Sequence, residues 1–142
     1  MSYLLDTCVL SEFTRRDPEP RVIDWLEQEA EDTLFISTIV LGELARGVSR
    51  LPDGSKKRRL GAWMYTDLVE RFAQRVLPVS TDVALKWGEL SATAARSGEQ
   101  IGMADGLIGA TGIVHSLVVV TRNVDHLTPT GAVVFDPWTD QE

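Results

Sequence analysis

Short apolar runs alternate with segments of helical periodicity along this chain. Tyr3 to Leu5 reads as a buried strand that delivers Asp6 at its C-terminal end, and Leu34 to Ile36 repeats the form before Ser37 and Thr38. Either Ser37 or Thr38 can cap a helix through about Ser49, with Glu43 on its second turn and Ile39, Val40 and Leu44 on its core face. Leu60, Trp63, Met64, Leu68 and Phe72 recur at helical spacing and predict a helix from roughly Arg59 to Gln74. A strand at Val76 to Val79 leads into a helix capped by Thr81 and reaching about Arg96, with Gly98 just past its end. Another helix opens near Met103 and carries Asp105 in its first turn. Ser116 to Thr121 is the strongest strand in the chain, and Ala132 to Phe135 is the last. Strands alternating with helices imply an α/β fold with a mainly parallel sheet.

At 142 residues a single domain over 1–142 is expected, with a full hydrophobic core and no need of staples. The 44% hydrophobic and 25% charged residues exclude a disordered or collagenous chain. One cysteine, Cys8, and two histidines, His115 and His126, cannot build a Cys-rich zinc site or an internal disulfide, and they fit a reducing, cytoplasmic compartment. The opening Met1-Ser2-Tyr3-Leu4-Leu5-Asp6 lacks the basic region of a signal peptide. Leu117-Val118-Val119-Val120 falls far short of the roughly 18 apolar residues a membrane span needs, so no membrane role is expected. With 14 Lys plus Arg against 21 Asp plus Glu, the formal net charge of −7 excludes a general phosphate-coating binder. Nucleic acid remains open as a substrate if carboxylates gather to hold divalent cations that meet the phosphate.

In open α/β sheets the functional crevice lies outside the C-terminal ends of the strands. Asp6 ends the first strand, Glu43 sits early in the helix after the second, Asp105 opens a late helix, and Asn123 and Asp125 follow the most hydrophobic strand. Carboxylates drawn together there repel one another unless a cation intervenes. Magnesium prefers oxygen ligands from one or two carboxylates, waters and a substrate phosphate, and manganese accepts similar sites. The chemistry implied is hydrolysis of a phosphodiester.

The local wording sharpens this. Leu4-Leu5-Asp6-Thr7-Cys8-Val9-Leu10-Ser11-Glu12 resembles the opening motif of PIN-domain ribonucleases, and Ile36-Ser37-Thr38-Ile39-Val40-Leu41-Gly42-Glu43-Leu44 their second. Met103-Ala104-Asp105-Gly106-Leu107-Ile108-Gly109-Ala110-Thr111-Gly112 is similar to the third motif, and Leu117-Val118-Val119-Val120-Thr121-Arg122-Asn123 to the fourth. The order and spacing are nearest to VapC-like toxins of toxin–antitoxin systems, including the FitB-like branch closed by Thr-Arg-Asn. The resemblance implies a three-layer α/β/α domain and a Mg2+- or Mn2+-dependent endoribonuclease. It also implies a homodimer, or a hetero-oligomer with a small DNA-binding antitoxin that holds the enzyme inactive. Asp6, Glu43 and Asp105 would be the acidic, metal-holding core, with Asn123 in the fourth place. Many members carry an aspartate at that place, so the amide argues against a second metal and for a role through bound water; Asp125 is the nearest substitute. Thr7 and Thr121 would orient the carboxylates or a substrate phosphate. Cys8 departs from a common asparagine and Leu127 from a common phenylalanine, and neither change removes a ligand.

Other readings are weaker. A receiver-like Mg2+-binding signalling domain needs a late lysine, and none follows Lys86. A catalytically inactive PIN scaffold has only Asn123 in its favour. Nucleotide-binding folds of the Rossmann or P-loop kind lack their glycine fingerprint here. No histidine is spaced to activate Cys8 as a nucleophile, so the thiol reads as small core packing. Lys56-Lys57-Arg58-Arg59 is the most concentrated positive charge and, with Arg46 and Arg122, is expected to grip an RNA backbone. Trp25, Trp63, Trp87 and Trp138 read as core or interface, with the helices around Trp25 and Trp63 forming a groove for an antitoxin segment.

Overall fold

The apolar runs become five short strands: β1 (Tyr3–Leu5), β2 (Leu34–Ser37), β3 (Val76–Leu77), β4 (Val118–Val120) and β5 (Val134–Phe135). In the computed structural model, which describes residues 1–139, they form one sheet of order β3-β2-β1-β4-β5 with every neighbouring pair parallel. Helices flank it: α1 (Thr7–Ser11), α2 (Pro20–Gln28), α3 (Thr38–Ser49), α4 (Ser55–Ala62), α5 (Val69–Arg71), α6 (Thr81–Arg96), α7 (Met103–Val114) and α8 (Val124–Leu127). This is the expected α/β fold with a parallel sheet. The last three residues of the domain expected over 1–142 lie outside the described residues. Among the described residues no helix is long and apolar enough to cross a membrane.

Register sets the functional edge. Tyr3 lies beside both Leu34 and Val118, so β1, β2 and β4 run level and Asp6, Ser37 and Thr121 emerge side by side at their C-terminal ends. The Asp6 N–H extends the ladder to the Val120 carbonyl at 3.0 Å. Leu4, Leu5, Leu34, Ile36, Val119 and Val120 are fully buried at the centre of the main core, which makes the sheet a rigid base for the loops above it.

Several local expectations change in detail. Strand β3 stops at Leu77 because Pro78 has no N–H to continue the ladder. Ser116 adopts a left-handed φ of 56° while the Leu117 N–H closes the end of α7 on the Gly112 carbonyl, so β4 begins only at Val118. Ser37 caps α3, its Oγ accepting from the Ile39 N–H at 3.0 Å. Ser80, not Thr81, caps α6: its hydroxyl accepts from the Val83 N–H at 3.2 Å, a reach that Thr81, already inside the first turn, does not have. The helix expected from Arg59 starts earlier, at Ser55, and so takes in the whole basic run. It continues through a π-helical stretch at Trp63–Leu68 into α5. Leu60, Met64, Leu68 and Phe72 repeat every four residues, which overruns an ordinary helix by about 40° per repeat. The wider π turn absorbs that drift and keeps Met64, Leu68 and Phe72 buried.

A second, smaller core joins α6 and α7 through Val83, Leu90, Leu107 and Ala110. The contact is close: a Cβ on Gly106 would sit 2.8 Å from the Trp87 ring. That approach fixes the first turn of α7, and with it Asp105. At the opposite end of the sheet, Glu31 precedes β2 and is held by Arg71 and Arg75, the latter immediately before β3.

Candidate active site

Asp6 leaves β1 in extended conformation and caps α1, so its backbone and its short side chain are both constrained. Its Oδ1 accepts from the Thr7 N–H at 2.8 Å and its Oδ2 from the Thr121 hydroxyl at 2.7 Å. Asp6 as a whole is 4% exposed, and Thr121 is fully buried. Thr121 is itself oriented, because its Oγ1 accepts from the Asn123 N–H at 3.0 Å. The Thr7 hydroxyl turns the other way and donates to Glu43 Oε1 at 3.0 Å, tying α1 to α3. Thus the two threonines hold the two acids.

Asp105 completes the cluster from α7. Burial of its carboxyl raises its pKa above the ordinary value, the charge of Asp6 raises it further, and His126 opposes the shift with Nδ1 at 3.9 Å from Oδ2. Glu43 stands on an exposed turn, yet partial withdrawal of its carboxyl from water is the main cause pushing its pKa up. The Thr7 bond opposes that rise, Asp6 and Asp105 add to it, and Arg46 opposes it. Asp6, Glu43 and Asp105 therefore share one electrostatic neighbourhood. Among the described residues no Lys or Arg forms an ion pair with any of them.

The remaining candidates divide. Asn123 is exposed beside Thr121; its carboxamide makes no hydrogen bond among the described residues. Asp125 is exposed in the first turn of α8 and is not drawn into the hydrogen bonds of the cluster. Lys56 lines the same cavity as Glu43 and Thr7, whereas Lys57 is turned back to Asp53 and the Ser49 carbonyl. Arg58 and Arg59 are exposed, Arg59 beside Trp63. Arg122 lies over the Trp138 ring, 5.4 Å from its centroid. Trp25 packs on Tyr3 and Phe135 and lines a different cavity from Trp63.

Two residues near the acids carry more than the sequence suggested. His126 reaches Asp105 from one turn beyond Asn123; that helical spacing was the only available signal. Cys8 is 3.6 Å from the Thr121 hydroxyl, and its sulfur accepts the Arg122 N–H at 3.4 Å, so it braces the loop after β4. Burial and then the charge of Asp6 push its thiol above its ordinary pKa, which suits packing and not nucleophilic attack.

Among the described residues no three His, Cys, Asp or Glu side chains are already gathered at metal-holding distances. The donor set nonetheless suits a hard divalent cation: every candidate ligand is a carboxylate oxygen, and among the described residues none of the acids is ion-paired to Lys or Arg.

The PIN domain model matches residues 3–128, from β1 through α8. The chain is 37% identical over 137 residues to toxin FitB of Neisseria gonorrhoeae, covering 96% of this chain and 99% of that protein. It is 33% identical to VapC ribonuclease Y4jK of Sinorhizobium fredii, covering 95% and 96%. Its fold superposes on the structure of FitAB bound to an IR36 DNA fragment with a TM-score of 0.92 at 35% identity, covering 99% of this chain and 98% of that one. Motif order, parallel topology and these likenesses agree over nearly the whole length, and the chain belongs to the PIN domain family.

Proposed function

We infer that this protein is a metal-dependent endoribonuclease that acts as the toxin of a toxin–antitoxin pair. The observation that carries the reading is the set of three acids at the C-terminal edge of the sheet, left without Lys or Arg partners and with Glu43 and Asp105 both pushed toward higher pKa. Relatives named as a toxin and as a VapC ribonuclease support it. Asp6, Glu43 and Asp105 would hold Mg2+ or Mn2+, with Asn123 acting through water. When bound, the ion neutralises phosphate charge and makes a neighbouring water more acidic.

The chain's own residues do the positioning. Thr7 N–H and the Thr121 hydroxyl fix both oxygens of Asp6, and the Thr7 hydroxyl holds Glu43, so these two acids are oriented before substrate arrives. Arg46, Arg122 and the Lys56–Arg59 run supply positive charge for the RNA backbone on either side of the acids. Water is the nucleophile, and no covalent enzyme intermediate forms. An antitoxin with a basic tail would compete for the acids, and a homodimer or a larger assembly with that antitoxin belongs to the same reading.

Cleavage of a mixed tRNA and structured-RNA pool by antitoxin-free protein in Mg2+, Mn2+ or EDTA, beside Asp6→Asn, tests this. Metal-dependent cutting that disappears in the variant is expected. No cutting by folded, metal-bound protein would favour a non-catalytic scaffold.

A further inference from the structure

The three acids are not held alike. Asp6 takes a backbone and a hydroxyl donor and Glu43 takes the Thr7 hydroxyl, whereas no hydrogen bond reaches the Asp105 carboxylate among the described residues. Its one charged or chargeable neighbour at ion-pair distance is His126, with Nδ1 3.9 Å from Oδ2. That separation is about 1 Å longer than a hydrogen bond. Two anchors put the imidazole there. Leu127, the next residue, is fully buried in the main core. Thr130 donates to the Leu127 carbonyl at 2.6 Å and packs so tightly on α7 that a Cβ on Gly109 would collide with its side chain. The helix that carries Asp105 and the one that carries His126 are thereby locked together. The ring itself is 69% exposed, so it can turn while its backbone stays fixed.

A carboxylate that is to take a cation needs a donor that orients it without cancelling its charge. A guanidinium cancels the charge, as Arg71 and Arg75 do for Glu31 at the other end of the sheet. A neutral imidazole N–H orients and leaves the charge in place. We propose that His126 is the positioning residue of Asp105, its Nδ1–H donating to Oδ2 and leaving Oδ1 free for the cation. Each acid is then oriented by a side-chain donor from a neighbouring element: Thr121 for Asp6, Thr7 for Glu43 and His126 for Asp105. The proposal rests on the metal-dependent reading, but the pairing can be observed without metal or RNA. The other use open to an exposed ring, contact with the RNA through its outer Nε2, predicts the opposite nitrogen and the opposite rescue.

In metal-free protein at about pH 8, long-range 1H–15N spectra should show the His126 proton on Nδ1, and Asp105→Ala should move it to Nε2. His115, at the far end of α7, should not change and serves as the internal reference. Mn2+ affinity, measured by calorimetry without RNA, should fall about 10-fold in His126→Ala. The amide nitrogen of asparagine stands where Nδ1 does, and that of glutamine where Nε2 does. His126→Asn should therefore return the affinity to within about 3-fold of wild type, and His126→Gln should not. Because the ring is exposed, the metal-free melting temperature of all three His126 variants should stay within about 2 °C of wild type. A proton on Nε2 in the wild type, unchanged affinity in His126→Ala, or rescue by glutamine and not asparagine overturns the proposal. The two readings separate: an Asp105-dependent proton on Nδ1 in a protein that binds no metal keeps His126 on Asp105 and overturns the metal-dependent reading. Metal binding with the proton on Nε2 does the reverse.

Discussion

The two ends of the parallel sheet treat their carboxylates in opposite ways. At the N-terminal end Glu31 takes a two-point contact from Arg71, with Nε and Nη2 each at 2.9 Å, and a third from Arg75 Nη2 at 2.8 Å. Arg75 also donates to the carbonyls of Glu31, Leu34 and Arg71 and stacks over Phe72. The Arg71 bonds are the main cause holding Glu31 below its ordinary pKa. At the C-terminal end Asp6 and Glu43 receive hydroxyl and backbone donors, Asp105 has only His126 nearby, none of the three has a guanidinium partner among the described residues, and Glu43 and Asp105 are pushed up. An acid that already has its cations is finished as structure. Acids without one are placed to take a cation from outside, at a cost in stability until it arrives.

The contrast can be broken first at Asp6. Asp6→Asn keeps an oxygen for the Thr7 N–H, so the fold should persist by circular dichroism while RNA cleavage falls by about 10^3-fold or more. Cleavage within about 10-fold of wild type would remove the acids from the reaction. The other end should respond in stability alone: Arg75→Ala is expected to lower the unfolding free energy by about 2–3 kcal/mol in urea titration, with cleavage per folded molecule unchanged. A smaller effect belongs to Thr121→Val, which preserves shape but removes the donor to Asp6. Cleavage should drop about 10- to 100-fold, and Thr121→Ser should restore it.

The finest distinction lies in pH. Glu31 has a lowered folded pKa, so its contribution is present above its ordinary value of 4.5 and is lost as pH falls through the lowered one. The destabilisation caused by Glu31→Gln should therefore be full at pH 7 and fade in acid. Asp105 has a raised folded pKa, so stability is lost as pH rises from its ordinary 3.8 through the raised value. In metal-free buffer at pH 7, Asp105→Asn should raise the melting temperature by about 2–4 °C, a gain that fades toward pH 3. Added Mg2+ should raise the wild-type melting temperature and not that of the variant. Equal signs for the two substitutions at pH 7 would erase the comparison.

Much of this was readable in advance, for local reasons. A three-residue apolar strand ending in Asp-Thr, a glutamate on the second turn of α3 and an aspartate in the first turn of α7 are short-range patterns, and all three elements form where expected. Errors cluster where a neighbouring residue decides: Pro78 truncates β3, Ser80 takes the cap from Thr81, and the π turn appears because a four-residue repeat has to remain on one face. The basic run looked uniform in sequence, yet Lys57 is committed to Asp53 while Lys56 faces the acids' cavity. Trp25 and Trp63 seemed to be partners and line separate cavities.

The order of strands and helices, the placement of each acid on its element and the net charge of −7 were determined by the sequence alone, because periodicity, capping and composition act over a few residues or over the whole chain. Tertiary structure decided which acids meet and which are neutralised. Thr7 reaches Glu43 across 36 positions and Thr121 reaches Asp6 across 115, while Glu31 meets its arginines 40 and 44 residues away. Charge compensation depends on distances of a few ångströms between residues remote in sequence, and only strand order and register bring those residues together.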